Sequence, residues 1–139
     1  MRQRVRVPRA WLVAAAVMAV VAGTACGSSG TTNPGLTAAE LVGTYDLGSL
    51  TLGTNPPIGP PAATGTLMLT LSTYNVTLNL PSGTQVDSGT WSVSGSTWTQ
   101  TSSVQPIQEQ GTASLSHDSL TVSLNAAGTA ISSVWVKQQ

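Results

Sequence analysis

The chain carries few side chains with reactive chemistry, and their spacing brings none of them together. His117 is the only histidine. Its neighbour Asp118 invites comparison with an acid–base dyad, but adjacent residues in a tight turn do not converge on one substrate atom. Cys26 is the only cysteine, so the chain has no internal disulfide. A metal site draws on several His, Cys or carboxylate ligands, and this inventory is too thin to supply one. Serine and threonine are abundant, yet no base is placed to activate any of them as a nucleophile. The acidic residues Glu40, Asp46, Asp87, Glu109 and Asp118 are scattered, with no pair set by spacing, which argues against two-carboxylate hydrolysis. Gly-rich phosphate-binding motifs are absent. The expectation is a protein without catalytic residues, metal or cofactor, and so not an enzyme.

The front of the chain differs in composition from the rest. Met1 to Arg9 carries Arg2, Arg4, Arg6 and Arg9, and Ala10 to Ala25 is almost wholly apolar and ends in small residues. A basic start, an apolar run and a small-residue end predict a secretory signal peptide over residues 1–25. The run falls short of the ~20 residues that a spanning helix needs. The segment Val21-Ala22-Gly23-Thr24-Ala25-Cys26 resembles a bacterial lipoprotein signal, in which the cysteine is lipidated and becomes the mature N-terminus. An aliphatic residue usually sits three before that cysteine, where this chain has Gly23, and Gly23-Thr24-Ala25 also suits ordinary signal peptidase cleavage. Residues 26–36 then read as the lipidated cysteine and a flexible Gly/Ser/Thr tether. The resemblance implies a palmitate-type acyl anchor holding the protein to a membrane of the cell envelope. The alternative is a secreted or periplasmic soluble protein.

Removing the signal leaves Lys137 against five carboxylates, for a net charge of −4. No basic patch remains to neutralise phosphates, which argues against nucleic acid as a partner and against electrostatic attachment to anionic lipid.

Residues 37–139 are patterned as an all-β domain. Thr37-Ala38-Ala39-Glu40 matches a capping box and predicts one helical turn. Gly43 to Leu52 reads as the first strand, with Gly48 as a bulge. Gly53 to Ala63 holds Pro56, Pro57, Pro60 and Pro61 and reads as a stiff loop, since proline donates no ladder hydrogen bond. Thr64 to Leu80 alternates apolar and polar residues with period two. A hairpin turn centred on Ser72-Thr73 sets Leu71 opposite Tyr74, Leu69 opposite Val76 and Leu67 opposite Leu78. Gly95-Ser96 pairs Val93 with Trp98 and Trp91 with Gln100; His117-Asp118 pairs Leu115 with Leu120 and Ala113 with Val122. The last strand covers Thr129 to Lys137, with either Trp135 or Val136 and their alternate neighbours facing inward; the Trp135 set brings Lys137 toward Tyr45. About eight strands without intervening helices predict an up-and-down antiparallel β-barrel. Tight turns at Ser72, Gly95 and His117 share one end, and the links near Pro56, Pro81, Pro106 and Ala126 form a looser, open end.

The arrangement resembles small bacterial lipocalin-like domains. Gly43-Thr44-Tyr45 after the helical turn matches the family's Gly-X-Trp opening, with Tyr45 in place of tryptophan. Asp118 stands in the turn between the sixth and seventh strands, where the family tends to carry an aspartate. Lys137 replaces the family's terminal arginine and is placed for a cation–π contact with Tyr45. The Gly53–Ala63 loop matches the family's lid in position. What the resemblance implies is a barrel that binds a small apolar ligand. Leu69, Val76, Trp91 and Trp98 supply apolar wall, and Gln100 and Ser102 polar contacts, if the strand keeps its register after Trp98. A barrel of about eight strands is also just wide enough to be filled by its own side chains. In that case the alternative is an envelope structural or inhibitor-like protein that meets an unidentified protein partner through the proline-rich loop.

Overall fold

The computed structural model describes residues 35–139. The expected signal peptide, Cys26 and most of the tether lie outside the described residues. Thr37 opens a single helical turn, α1 (Ala38–Leu41). The Glu40 carboxylate accepts hydrogen bonds from the Thr37 backbone N–H at 2.8 Å and from its hydroxyl at 2.7 Å, as the capping-box pattern predicts. Leu41 is fully buried and roots the turn in the core.

Eight strands follow: β1 (Gly43–Leu52), β2 (Thr64–Leu69), β3 (Thr73–Leu80), β4 (Gly83–Ser94), β5 (Thr97–Ser102), β6 (Gln108–Ser116), β7 (Ser119–Ala126) and β8 (Thr129–Lys137). Each pairs antiparallel with its neighbour in sequence, and β8 pairs back onto β1, so the sheet closes into an up-and-down barrel. Closure removes both sheet edges and leaves a single inward face. That face carries the core: Tyr45, Leu47, Leu50, Leu67, Leu69, Tyr74, Trp91, Trp98, Ala113, Leu120, Val122 and Trp135 are all buried. In β8 it is the Ile131, Ser133 and Trp135 set that faces inward, while Val136 is exposed.

The bulge at Gly48 has a definite task. Register against β8 slips between Leu47 and Ser49. Tyr45 and Leu47 face inward before the slip and Leu50 after it, so the extra residue keeps both halves of a long strand apolar-in.

Two expectations about turns are corrected. In the β2–β3 hairpin Leu69 pairs with Tyr74 and Leu67 with Val76, two residues away from the register drawn for a Ser72-Thr73 turn. Leu71 belongs to the loop and is 66% exposed instead of facing inward. The loop is fixed by its own hydrogen bonds and by Trp91. The Thr70 hydroxyl accepts from the Thr73 N–H at 3.0 Å, and the Trp91 indole N–H donates to the carbonyls of Thr70 and Thr73 at 3.1 and 3.0 Å. A two-residue shift leaves every side chain on its own face, so apolar alternation does not distinguish the two registers. The second correction concerns the ends of the barrel. The links at Pro81 and Ala127 are tight, closing between Leu80 and Gly83 and between Ala126 and Thr129. Only Gly53–Ala63 and Ser103–Ile107 are long at that end. The proline-rich loop is itself partly absorbed into the wall, because Leu50 and Ile58 exchange backbone hydrogen bonds of 2.7 and 2.8 Å beyond the point where β2 pairing stops.

On each strand flanking β5 a glycine stands where backbone approaches backbone. A Cβ on Gly89 would lie 1.9 Å from the Thr101 carbonyl oxygen, and one on Gly111 1.9 Å from that of Ser123. Both glycines therefore hold positions that no other residue fills without moving a neighbouring strand. Gly89→Ala and Gly111→Ala should each destabilise the barrel by roughly 1–3 kcal/mol, read as a lower urea midpoint. An unchanged midpoint in both variants would contradict this close packing.

Candidate ligand cavity inside the barrel

The inward face does not fill the barrel completely. A cavity of about 210 Å³ opens toward the end that bears the long loops, and all eight strands contribute to its lining. Tyr74, Trp98, Trp135 and Leu67 line its deeper part. Val76, Val122, Gln100 and Ser133 come next along their strands. Leu50, Leu78, Leu124 and Ile131 surround the outer part, and two carboxylates join the lining, Asp87 paired with Val76 and Glu109 with Gln100. An apolar cavity of about 150 Å³ suffices for benzene, so this one has room for a ligand of about eight non-hydrogen atoms.

The polar groups of the interior form two connected sets. In the first, the Trp98 indole N–H donates to Gln100 Oε1 at 2.9 Å, and Gln100 Nε2 donates to Glu109 Oε2 at 2.9 Å. In the second, Asp87 accepts from the Tyr74 hydroxyl at 2.6 Å, the Ser102 hydroxyl at 2.5 Å and the Ser88 N–H at 2.8 Å. Separately, the Trp135 indole N–H donates to the Ser133 hydroxyl at 2.8 Å. Every buried side-chain polar atom among the described residues has a partner, as buried polar groups require. Burial, reinforced by the hydrogen bond to Asp87 and its charge, pushes the Tyr74 phenol well above the usual tyrosine range. Burial alone raises that of Tyr45.

Each residue singled out in the sequence has a definite place. Val76, Trp98 and Gln100 line the cavity. Leu69 and Trp91 are buried beneath it without lining it; Trp91 stacks on Trp98 with ring centroids 4.7 Å apart and planes inclined by 17°. Ser102 does not line the cavity either. Its hydroxyl donates to Asp87 and accepts from the N–H groups of Val104 and Gln105 at 3.1 Å each, tying the β5–β6 loop to β4. Gly43, Tyr45 and Lys137 meet at the opposite end. The Lys137 ammonium lies 5.7 Å from the Tyr45 ring centroid, and its stem crosses Gly43, where a Cβ would come within 2.7 Å of Cε. The Tyr45 hydroxyl donates to the Leu41 carbonyl at 2.9 Å, joining this cluster to α1. Asp118 is beside it through its backbone, its carbonyl accepting from the Lys137 N–H at 2.7 Å. His117 is exposed in the same turn, at φ 53°. Among the described residues its ring meets no carboxylate; its Nδ1 lies 3.5 Å from the Ser116 hydroxyl.

Asp87 and Glu109 are what the sequence reading missed. Considered as scattered acids they pair with nothing, yet strand parity places them. Trp91 faces inward, so Gly89 and Asp87 do too; Ala113 faces inward, and with it Gly111 and Glu109. Counting back by twos from the aromatic and apolar anchors would have put both carboxylates inside.

No family model matches this chain, and no curated protein matches it. Among solved structures it is similar to the crystal structure of an uncharacterized protein from Bacteroides eggerthii DSM 20697, at 11% identity and a TM-score of 0.48, over 70% of this chain and 98% of that one.

The two tyrosines are the only ones in the chain, and both have raised folded-state pKa values. Stability contributed by the protonated phenols is therefore complete below the unfolded value of about 10 and declines as pH rises beyond it. In an alkaline titration, tyrosinate absorbance should appear only together with loss of the near-ultraviolet circular dichroism of the barrel. Ionisation of either phenol near pH 10 with the fold intact would contradict this burial.

Proposed function

We propose that the protein is an exported, non-enzymatic carrier: a lipocalin-like lipoprotein whose barrel takes up a small apolar molecule, with Cys26 as its lipid anchor in the cell envelope. The observation that carries the binding reading is the cavity of about 210 Å³ walled chiefly by aliphatic and aromatic side chains from all eight strands. Ligand sites have this form, a largely apolar concavity with a few polar groups that fix orientation. The first strand's Gly43 and Tyr45 with Lys137 across them support the lipocalin-like likeness. The basic, apolar and small-residue order of residues 1–25 supports export, and an anchored N-terminus gives the Gly/Ser/Thr tether a purpose.

Two measurements test this. In saturation-transfer NMR on the full exported protein, heptan-1-ol should bind, and Val122→Trp, which fills the cavity with an apolar group, should abolish the transfer while circular dichroism stays native. Absence of transfer to the unaltered protein would overturn the carrier reading. Metabolic labelling with palmitate should mark the protein and be lost in Cys26→Ala; an unlabelled protein would leave export without an anchor.

A further inference from the structure

We infer that the cavity is built for a cationic amphiphile, an apolar chain or ring bearing an amine, held tail-inward with its head at Asp87 and Glu109; this rests on the carrier reading above. The site is the cavity itself, and the two carboxylates decide which apolar molecule suits it.

Three observations lead there. First, Asp87 and Glu109 are the only ionisable groups in the cavity lining apart from the Tyr74 phenol, and burial with Asp87 nearby keeps that phenol protonated. Second, neither carboxylate has a cationic partner among the described residues. Lys137 is the only lysine or arginine among residues 35–139, and it is engaged with Tyr45 at the opposite end of the barrel. The groups that meet the carboxylates are neutral donors: Tyr74, Ser102 and the Ser88 N–H on Asp87, and Gln100 on Glu109. Two half-buried negative charges in a partly apolar site attract a cation and disfavour a further anion.

Third, their placement sets the orientation. Asp87 and Glu109 also line an outer groove of about 160 Å³ whose walls include Val86, Val104 and Ile107. Those three apolar side chains are exposed. The carboxylates thus lie where interior and outer groove adjoin, while Trp98 and Trp135 line the deeper part. A tail seated against the two indoles leaves its ammonium between the carboxylates, at the wetter side of the cavity. An acyl anion seated the same way would bring like charges together.

Three ligands with nearly the same tail isolate the head group: heptylammonium, heptan-1-ol and heptanoate, titrated into the full exported protein at pH 7 and low salt. Heptylammonium should bind about tenfold or more tighter than the alcohol, a modest effect for charges in a partly solvated site, and heptanoate more weakly than either. Glu109→Gln keeps an acceptor for Gln100 and removes a charge; it should reduce the ratio of heptylammonium to heptan-1-ol affinity several-fold. Asp87→Asn serves as a second charge-removing variant, with near-ultraviolet circular dichroism reporting whether the Tyr74 and Ser102 contacts survive. Nuclear Overhauser contacts from the heptyl methyl to the Trp98 and Trp135 indoles would establish the tail-inward pose. Equal affinity for alcohol and ammonium, or no effect of Glu109→Gln on their ratio, overturns the head-group assignment and leaves the carrier reading standing. Failure of all three ligands to bind overturns both.

Discussion

The structure depends on the pairing of β8 with β1. It turns seven sequential hairpin contacts into a closed cylinder, and closure is what gives a chain with so little aliphatic bulk a protected interior. An open sheet of these short strands would present one solvated apolar face and two hydrogen-bonding edges. The pairing in turn requires β1 to serve two partners. Its first residues bond β2, its later ones continue along β8, and the Gly48 bulge lets inward-facing side chains come from both parts. Where β2 ends, Ile58 of the proline-rich loop takes up backbone groups of Leu50, so the loop serves first as a piece of wall.

Closure also divides the molecule lengthwise. The end nearer α1 is sealed by Leu41, by the Tyr45 hydroxyl on the Leu41 carbonyl, and by the Lys137 stem over Gly43. Just inside it the stacked pair of Trp91 and Trp98 supplies bulk. Beyond it the inward residues include the smaller or polar Ser133 and Gln100 among larger aliphatic ones, and the cavity lies there. The single lysine lies at the sealed end, and Asp87 and Glu109 are the carboxylates that face the cavity.

The polar interior is tolerated because it is satisfied. Trp98, Gln100 and Glu109 form one relay of hydrogen bonds, and Tyr74, Asp87 and Ser102 another. A low-dielectric site makes such networks specific when complete. The Asp87 set has a structural share as well, since Ser102 carries the backbone of the β5–β6 loop with its exposed Val104. One carboxylate thus bonds both to the cavity's Tyr74 and to the Ser102 hydroxyl that holds the loop.

Much of the architecture is local information, and the sequence by itself determined it. Period-two alternation assigned strands, Gly95-Ser96 and His117-Asp118 assigned hairpin registers that the barrel keeps, and Thr37 with Glu40 assigned the helical turn. Alternation specifies faces but repeats every two residues. It could not choose between Leu69 opposite Val76 and Leu69 opposite Tyr74, and there the hydrogen bonds of the Thr70–Thr73 loop with Trp91 decided. The sequence likewise left open whether the inward residues fill the barrel, because a void depends on how side chains from eight strands meet across the axis. Asp87 and Glu109 lie 22 residues apart in the sequence, on strands separated by β5. Parity could have turned each inward; only the curvature of the closed sheet, with Gly89 and Gly111 letting the backbones approach, brought both to one cavity.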